Sequence, residues 1–406
     1  MKYRILLVFL ALVLVVSLAA FAACESKPKV YTSGEWPGQL AVASQGPASP
    51  AYPIDVGWTT PLAEDTGMQV RLLATESLPV SFTWLKQGKL DLGFADMGAL
   101  SVPAGLDVFA TRELGPIQYR IFWPHGRGGR GFAVRGDSGI KTPYDITPET
   151  KLIYHSPVLA GPFGKIWVEA LLAWANLTPD DIPEENWIEA PSIESTFELL
   201  KEGRGDVVVG WPSSPPWLEV EAAPHGLAWI DLDARAEPEA AARYLAVDSG
   251  GSFGPMDKGA PSAIGVNMLL TIPSMVVMAD KDTELVYNLC KWLDENYDKY
   301  KDAHPYCAAM TVENLVLLAE LEFVPLHDGA VKYLEELGLW TDAHETRRQQ
   351  NIDQFDRYEQ AYVEVLDLAD EQGIEVDPAN EEWLELWDSY REDNGIPKFK
   401  LFVTFP

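Results

Sequence analysis

Four groups of residues in this chain have types and spacings that bear on chemistry. Gly250-Gly251-Ser252-Phe253-Gly254 has the spacing of a nucleophile elbow, in which a strained strand-to-helix turn exposes a serine hydroxyl. An elbow needs a helix directly after the serine, and Pro255 and Gly259 deny one, so the segment reads as loop. The run at 124–131, Pro-His-Gly-Arg-Gly-Gly-Arg-Gly, carries arginines suited to phosphate or carboxylate. No phosphate-loop Lys-Ser/Thr follows it, so it reads as a solvated turn. The six histidines show no two-histidine zinc spacing and the three cysteines no metal spacing, so no metal or cofactor is expected. The fourth group is Ser77 and Ser192. Each can cap a helix N-terminus, where unpaired N–H groups and about half a positive charge attract an anion.

The two serines head two copies of one pattern. Residues 77–94 and 192–209 superpose at a constant offset of 115, which matches Ser77 to Ser192, Phe82 to Phe197, Leu85 to Leu200, Lys86 to Lys201, Gly88 to Gly203 and Asp91 to Asp206. Leu78, Phe82 and Leu85, like Ile193, Phe197 and Leu200, form one buried helical stripe. Gly88 and Gly203 suit the left-handed position after a helix. Each copy then enters a short apolar run of the kind found in buried parallel strands. Helix–Gly–strand is a common unit, but an ungapped repeat argues for two similar α/β lobes with a cleft between them, where small ligands bind.

The 406 residues suffice for two or three domains, and 47% hydrophobic residues is a globular composition. A net charge of −30 argues against nucleic acid and anionic membrane surfaces as partners. Residues 1–24 read as a leader, with Lys2 and Arg4 before an apolar run and Phe21-Ala22-Ala23 before Cys24. That ending resembles a bacterial lipoprotein cleavage box and makes Cys24 the lipidation site; an uncleaved anchor is the alternative. Either way the body lies outside the cytoplasm. Cys290 and Cys307 remain, as one disulfide or two buried thiols.

Along the body, strands are expected at 30–32, 68–74, 90–95, 118–123, 132–135, 152–155, 187–190, 207–211, 228–231 and within 263–279. Residues 39–44 read as a short helix, 156–165 and 248–260 as loops, and 166–175 and 238–245 as helices. After Thr283 the chain reads as helices, and 342–372 and 380–393 form an acidic amphipathic tail whose Trp383, Trp387 and Tyr390 fall on one stripe.

The segment 323–340, Phe-Val-Pro-Leu-His-Asp-Gly-Ala-Val-Lys-Tyr-Leu-Glu-Glu-Leu-Gly-Leu-Trp, resembles the C-terminal signature of TAXI-type solute receptors. These are the extracytoplasmic substrate-binding subunits of tripartite ATP-independent periplasmic (TRAP) transporters. Val286-Tyr287, Lys291-Trp292-Leu293 and the stretch from Leu85 to Asp96 are similar to further segments of that family. The departures are at the first loop, with Ser33-Gly34-Glu35-Trp36 in place of a Thr-Gly-Gly run, at Glu76-Ser77-Leu78-Pro79-Val80, at Gly161-Pro162-Phe163-Gly164, and in the tail beyond Trp340.

The resemblance implies an α/β, two-lobed periplasmic-binding-protein fold of type II, with two crossover strands and, here, a C-terminal helical extension. The lobes would be 25–133, 134–262 and a return over 263–341, followed by 342–406. It implies capture of a small carboxylate or amino-acid-like solute for TRAP permease subunits, without enzymatic turnover. A ligand-sensing surface lipoprotein and, more distantly, a hydrolase are the alternatives. Ligands of open α/β sheets sit at strand carboxyl ends, which nominates Ser33, Trp36, Glu76, Ser77 and Asp96 from lobe one. Lobe two would supply Phe163, Lys165, Ser192, Trp211 and Ser213. Glu76 and Asp96 suit an ammonium group and favour a zwitterion over a plain diacid. Cys24→Ala should release the protein from membranes or block its processing; a variant still cleaved and membrane-bound would refute the lipid anchor.

Overall fold

A computed structural model describes residues 32, 34–75, 77–95, 101–126, 128–156, 163–248, 251–397 and 399; Cys24, Ser33, Glu76 and Asp96 lie outside them. Strand β1 (Gln39–Ser44) pairs in parallel with β2 (Gln69–Ala74). On its other side Val42 bridges Leu92, just before β3 (Gly93–Ala95). Antiparallel β12 (Ser274–Met278) follows, then β4 (Tyr119–Pro124). The second sheet runs β7 (Trp187–Ala190), β6 (Leu152–His155), β8 (Val207–Gly210), then antiparallel β5 (Gly128–Arg135). Beyond β5 lie β9 (Leu227–Trp229), β11 (Asn267–Thr271) and β10 (Ser252–Pro255). Each sheet thus has the order second, first, third, antiparallel, fourth. In both, the antiparallel strand arrives from the other sheet, which is a two-lobed periplasmic-binding-protein-like fold.

Helices α1 (Ala51–Thr66), α2 (Leu78–Lys86), α3 (Phe163–Trp174), α4 (Ile193–Lys201), α5 (Trp217–Ala222) and α6 (Pro238–Val247) belong to the lobes. Helices α7 (Thr283–Glu295), α8 (Val312–Leu321) and α9 (Asp328–Glu336) pack on the first lobe. The extension is α10 (Asp342–Gln372) and α11 (Glu381–Asp393), as the sequence pattern implies.

The repeat is structural down to single hydrogen bonds. Helices α2 and α4 join equivalent strands and end in Gly88 and Gly203, at φ 66° and 70°. Asp91 Oδ2 accepts from Ala41 N at 2.8 Å, and Asp206 Oδ2 accepts from Lys151 N at 2.8 Å. Each carboxylate therefore closes the turn into the third strand onto the start of the first.

Several expectations are corrected. Residues 39–44 are strand: Leu40 and Val42 are buried, and six residues are too few for a helix to outcompete parallel pairing. Residues 128–131 belong to β5 rather than a solvated turn, because the glycines admit neighbours that a side chain would exclude. A Cβ at Gly128 would lie 2.2 Å from the Tyr306 ring, and at Gly131 2.6 Å from the Met268 sulfur. The expected first lobe includes 128–133, which the register assigns to the second sheet. Part of the loop at 248–260 is β10, and α3 starts at Phe163, before the expected Ile166. Cys290 and Cys307 are buried free thiols.

Gly329 of the C-terminal signature would place a Cβ 2.6 Å from Thr283 O and Tyr287 N, so it lets α9 approach α7 closely. His327 Nδ1 accepts from Gly329 N at 3.1 Å, Lys332 lies 4.4 Å from the Tyr287 ring, and Tyr333 donates to Asp294 at 2.6 Å. The signature is a helix-pairing motif.

Asp206→Ala should cost about 1–2 kcal/mol in urea unfolding, because Lys151 N–H loses its acceptor. Asp206→Asn, which keeps an acceptor oxygen, should cost less than half of that; equal losses would remove the hydrogen bond as the cause.

Candidate functional site

Because β5 is antiparallel to β8, its first residues lie beside the carboxyl ends of the parallel strands: Gly131 pairs with Gly210. Arg130 therefore stands next to Trp211. Its guanidinium lies 4.3 Å from the Trp167 ring and pairs with Asp248, and both charged side chains are buried. Tyr244 donates to Asp248 at 3.2 Å. At the end of β6, His155 stacks on Trp211, with centroids 5.8 Å apart and planes at 15°. Trp167 stands edge-on to both, at 5.9 Å and 5.6 Å. Helix α3 can start this close to β6 because residue 164 is glycine; a Cβ there would lie 2.1 Å from His155 O. Burial, then the nearby Arg130 charge, lowers the His155 pKa to about 4, so the ring is neutral at pH 7.

The result is an aromatic corner with one arginine and one carboxylate at the carboxyl ends of the second lobe's parallel strands. A planar or carboxylate group can lie against such rings and reach a guanidinium, and a carboxylate beside it suits an ammonium.

The lobes touch beside this corner. His304 hydrogen-bonds the Ser213 backbone, and its Nδ1 accepts from Tyr306 N at 3.2 Å. Tyr306 Oη accepts from Gly129 N at 3.4 Å, and Ala48 joins the apolar cluster around Met256 and Trp217. Between the crossovers, His125 N donates to Pro273 O at 2.6 Å. The His125 ring meets buried Asp55 at 2.6 Å. The Ser213 and Ser214 hydroxyls have no hydrogen-bond partner among the described residues.

The nominated residues divide. Trp211 and Ser213 stand at the carboxyl end of β8, Trp211 in the aromatic corner and Ser213 at the contact with lobe one. Ser77 and Ser192 head α2 and α4 and act as caps, accepting from Val80 N at 3.4 Å and Ser195 N at 3.2 Å. Phe163 opens α3 at the carboxyl end of β6. Lys165 is exposed and reaches over Trp187 at 4.9 Å; Trp187 pairs with Leu152, at the far end of β6 from His155. Trp36 precedes β1, so it lies at the strand's amino end, where Asn288 holds the Glu35 carbonyl at 3.2 Å. The loop at the carboxyl end of β1 is 45–50. Arg130, Asp248, His155 and Trp167 were missed. Arg130 lay in a run read as turn, and nothing local marks the other three.

A family model described as NMT1-like matches residues 264–338, which include α7 and the signature as far as Gly338. A comparison with curated proteins finds no match. Among solved structures the chain is similar to R. palustris Rpa4515 with adipate, at 12% identity, 66% of this chain, 89% of that chain and a TM-score of 0.46. It is also similar to an ABC uptake transporter substrate-binding protein from Streptococcus pneumoniae with bound histidine, at 14%, 66%, 90% and 0.41. A third is the GluR0 ligand-binding core from Nostoc punctiforme in complex with L-glutamate, at 13%, 66%, 97% and 0.39. The fold assignment rests on strand order and register. Among the described residues no helix is long and apolar enough to cross a membrane.

His155, His304 and His327 all have their pKa lowered to about 4, with burial the largest cause. At these rings the unfolded chain then binds more protons than the native one as pH falls from about 6.5 towards 4, so their contribution to stability drops through that window and is level above it. Each ring accounts for roughly 3 kcal/mol at the acid end. His155→Gln should flatten the pH dependence of urea unfolding between pH 7 and pH 4.5; an unchanged slope would mean that the native His155 ring protonates freely.

Proposed function

We propose that this protein is an extracytoplasmic solute receptor that closes two lobes around a small carboxylate-bearing, amino-acid-like molecule. The observation that carries the reading is the Arg130–Asp248 pair beside the Trp167–His155–Trp211 corner, at the carboxyl ends of lobe two's strands and next to the lobe–lobe contact. Arg130 would take the carboxylate, Asp248 would share an ammonium, and the rings would bound the side chain. A net-neutral pair favours a zwitterion over a diacid. From lobe one, Glu76 and Asp96 would complete the site; Ser77 in lobe one and Ser192 in lobe two would supply helix ends rather than hydroxyls. In the finer reading, the solute passes to TRAP permease subunits and Cys24 carries the lipid anchor. The TAXI-like residues at 323–340 support that reading.

Mass spectrometry of small molecules released from protein purified without denaturation should identify the solute. Calorimetry with that compound should then show at least ~10-fold weaker binding, about 1.4 kcal/mol, for Arg130→Gln and Trp211→Ala in lobe two and for Glu76→Gln in lobe one. If substitutions in one lobe alone matter, the solute is not clamped between lobes.

A further inference from the structure

The two lobes solve one problem differently. Each must cover the passage from its third to its fourth strand, which starts at the ligand end of the sheet. Lobe two does so from within: buried Trp217 of α5 packs between Phe197 at 4.5 Å and Trp229 at 5.1 Å. In lobe one the described part of the passage, 101–118, holds only the short turns Ser101–Ala104 and Asp107–Phe109, and Asp107 sits at φ 51°, which is unusual for a non-glycine residue.

The C-terminal extension serves this passage residue by residue. Trp387 Nε1 donates to Ala104 O at 3.2 Å, Trp383 Nε1 to Ala110 O at 2.9 Å, and Tyr362 Oη to Thr111 O at 3.0 Å. Arg112 pairs with Asp370, and Gln118 donates to Asp356 and Glu359 at 3.2 Å and 3.1 Å. Gly105 and Gly115 make room for one ring, since a Cβ at either would lie 3.0 Å or 3.1 Å from Tyr362. Both indoles are fully buried, so these carbonyls would face an apolar wall if the donors were lost. At the end of the passage, Phe355 lies 6.1 Å from Tyr119 and 5.4 Å from the Arg120 guanidinium.

We infer that the C-terminal extension is an internal brace that sets the conformation of lobe one's passage from β3 to β4, doing for that lobe what α5 does for lobe two. Its relevance to the cleft rests on the solute-receptor reading; the brace itself does not. Release of the brace loosens one wall of lobe one and leaves lobe two unchanged.

Hydrogen exchange followed by mass spectrometry on the full chain tests it without any ligand. In the double variant Trp383→Phe, Trp387→Phe, which keeps aromatic rings and removes both donors, amides within 101–118 should exchange roughly ten-fold faster. Those of β6 and β8 should be unchanged. No change, or an even increase across both lobes, overturns the brace. Should the double variant fail to fold, Tyr362→Phe removes one donor with little change of volume and should speed exchange a few-fold within 107–118 only; its absence overturns the inference equally. A solute clamped by both lobes with no selective exchange would refute the brace alone, and the reverse result would refute the receptor alone.

Discussion

Two extended segments cross between the sheets, and each becomes the antiparallel strand of the sheet it enters. The rest of the structure depends on that exchange. β5 is the partner of β8, β9 and β11, and β12 joins β3 to β4. Neither sheet is complete until the chain has visited the other. The crossovers are bonded to each other at His125 and Pro273, so the lobes share a backbone hydrogen bond where they part. The glycines of β5 follow from this constraint. Gly128 passes under Tyr306, Gly129 under Met256 and Gly131 under Met268, with no room for a side chain at these three positions.

The same exchange places the chemistry. A strand that enters antiparallel brings its first residues to the carboxyl ends of its neighbours. Arg130 therefore arrives beside Trp211 and His155, residues more than twenty positions away along the chain. Its charge is tolerable in a buried position because Asp248 pairs with it and Trp167 covers its face. The neutral His155 ring belongs to the same balance: a second cation there would meet Arg130 with no carboxylate of its own.

Residues shared with the receptor resemblance and residues at the carboxyl ends of the parallel strands perform different work. Gly329, His327, Lys332 and Tyr333 join α9 to α7 on the outside of lobe one. The extension lies over the passage following β3, where its indoles donate to the backbone carbonyls of Ala104 and Ala110.

The sequence by itself determined the repeat, the helices from Thr283 onward, the alternation of strands and helices, and the stripe of Trp383 and Trp387. Each of these is local: a period, a cap, a glycine after a helix, or two segments matched at a constant offset. Where local signals were mixed the reading failed. Residues 39–44 carry too few turns to distinguish helix from strand; with the first strand expected at 30–32, Trp36 falls after a strand in the sequence reading, whereas it precedes β1. Only the tertiary structure decided that the glycine–arginine run is a strand, because its glycines answer to Tyr306 and Met268, far along the chain. It alone decided that Arg130, Asp248, Trp167 and His155 meet. Strand pairing across a hinge sets those distances, and pairing between distant segments leaves no periodic mark in the residues that it brings together.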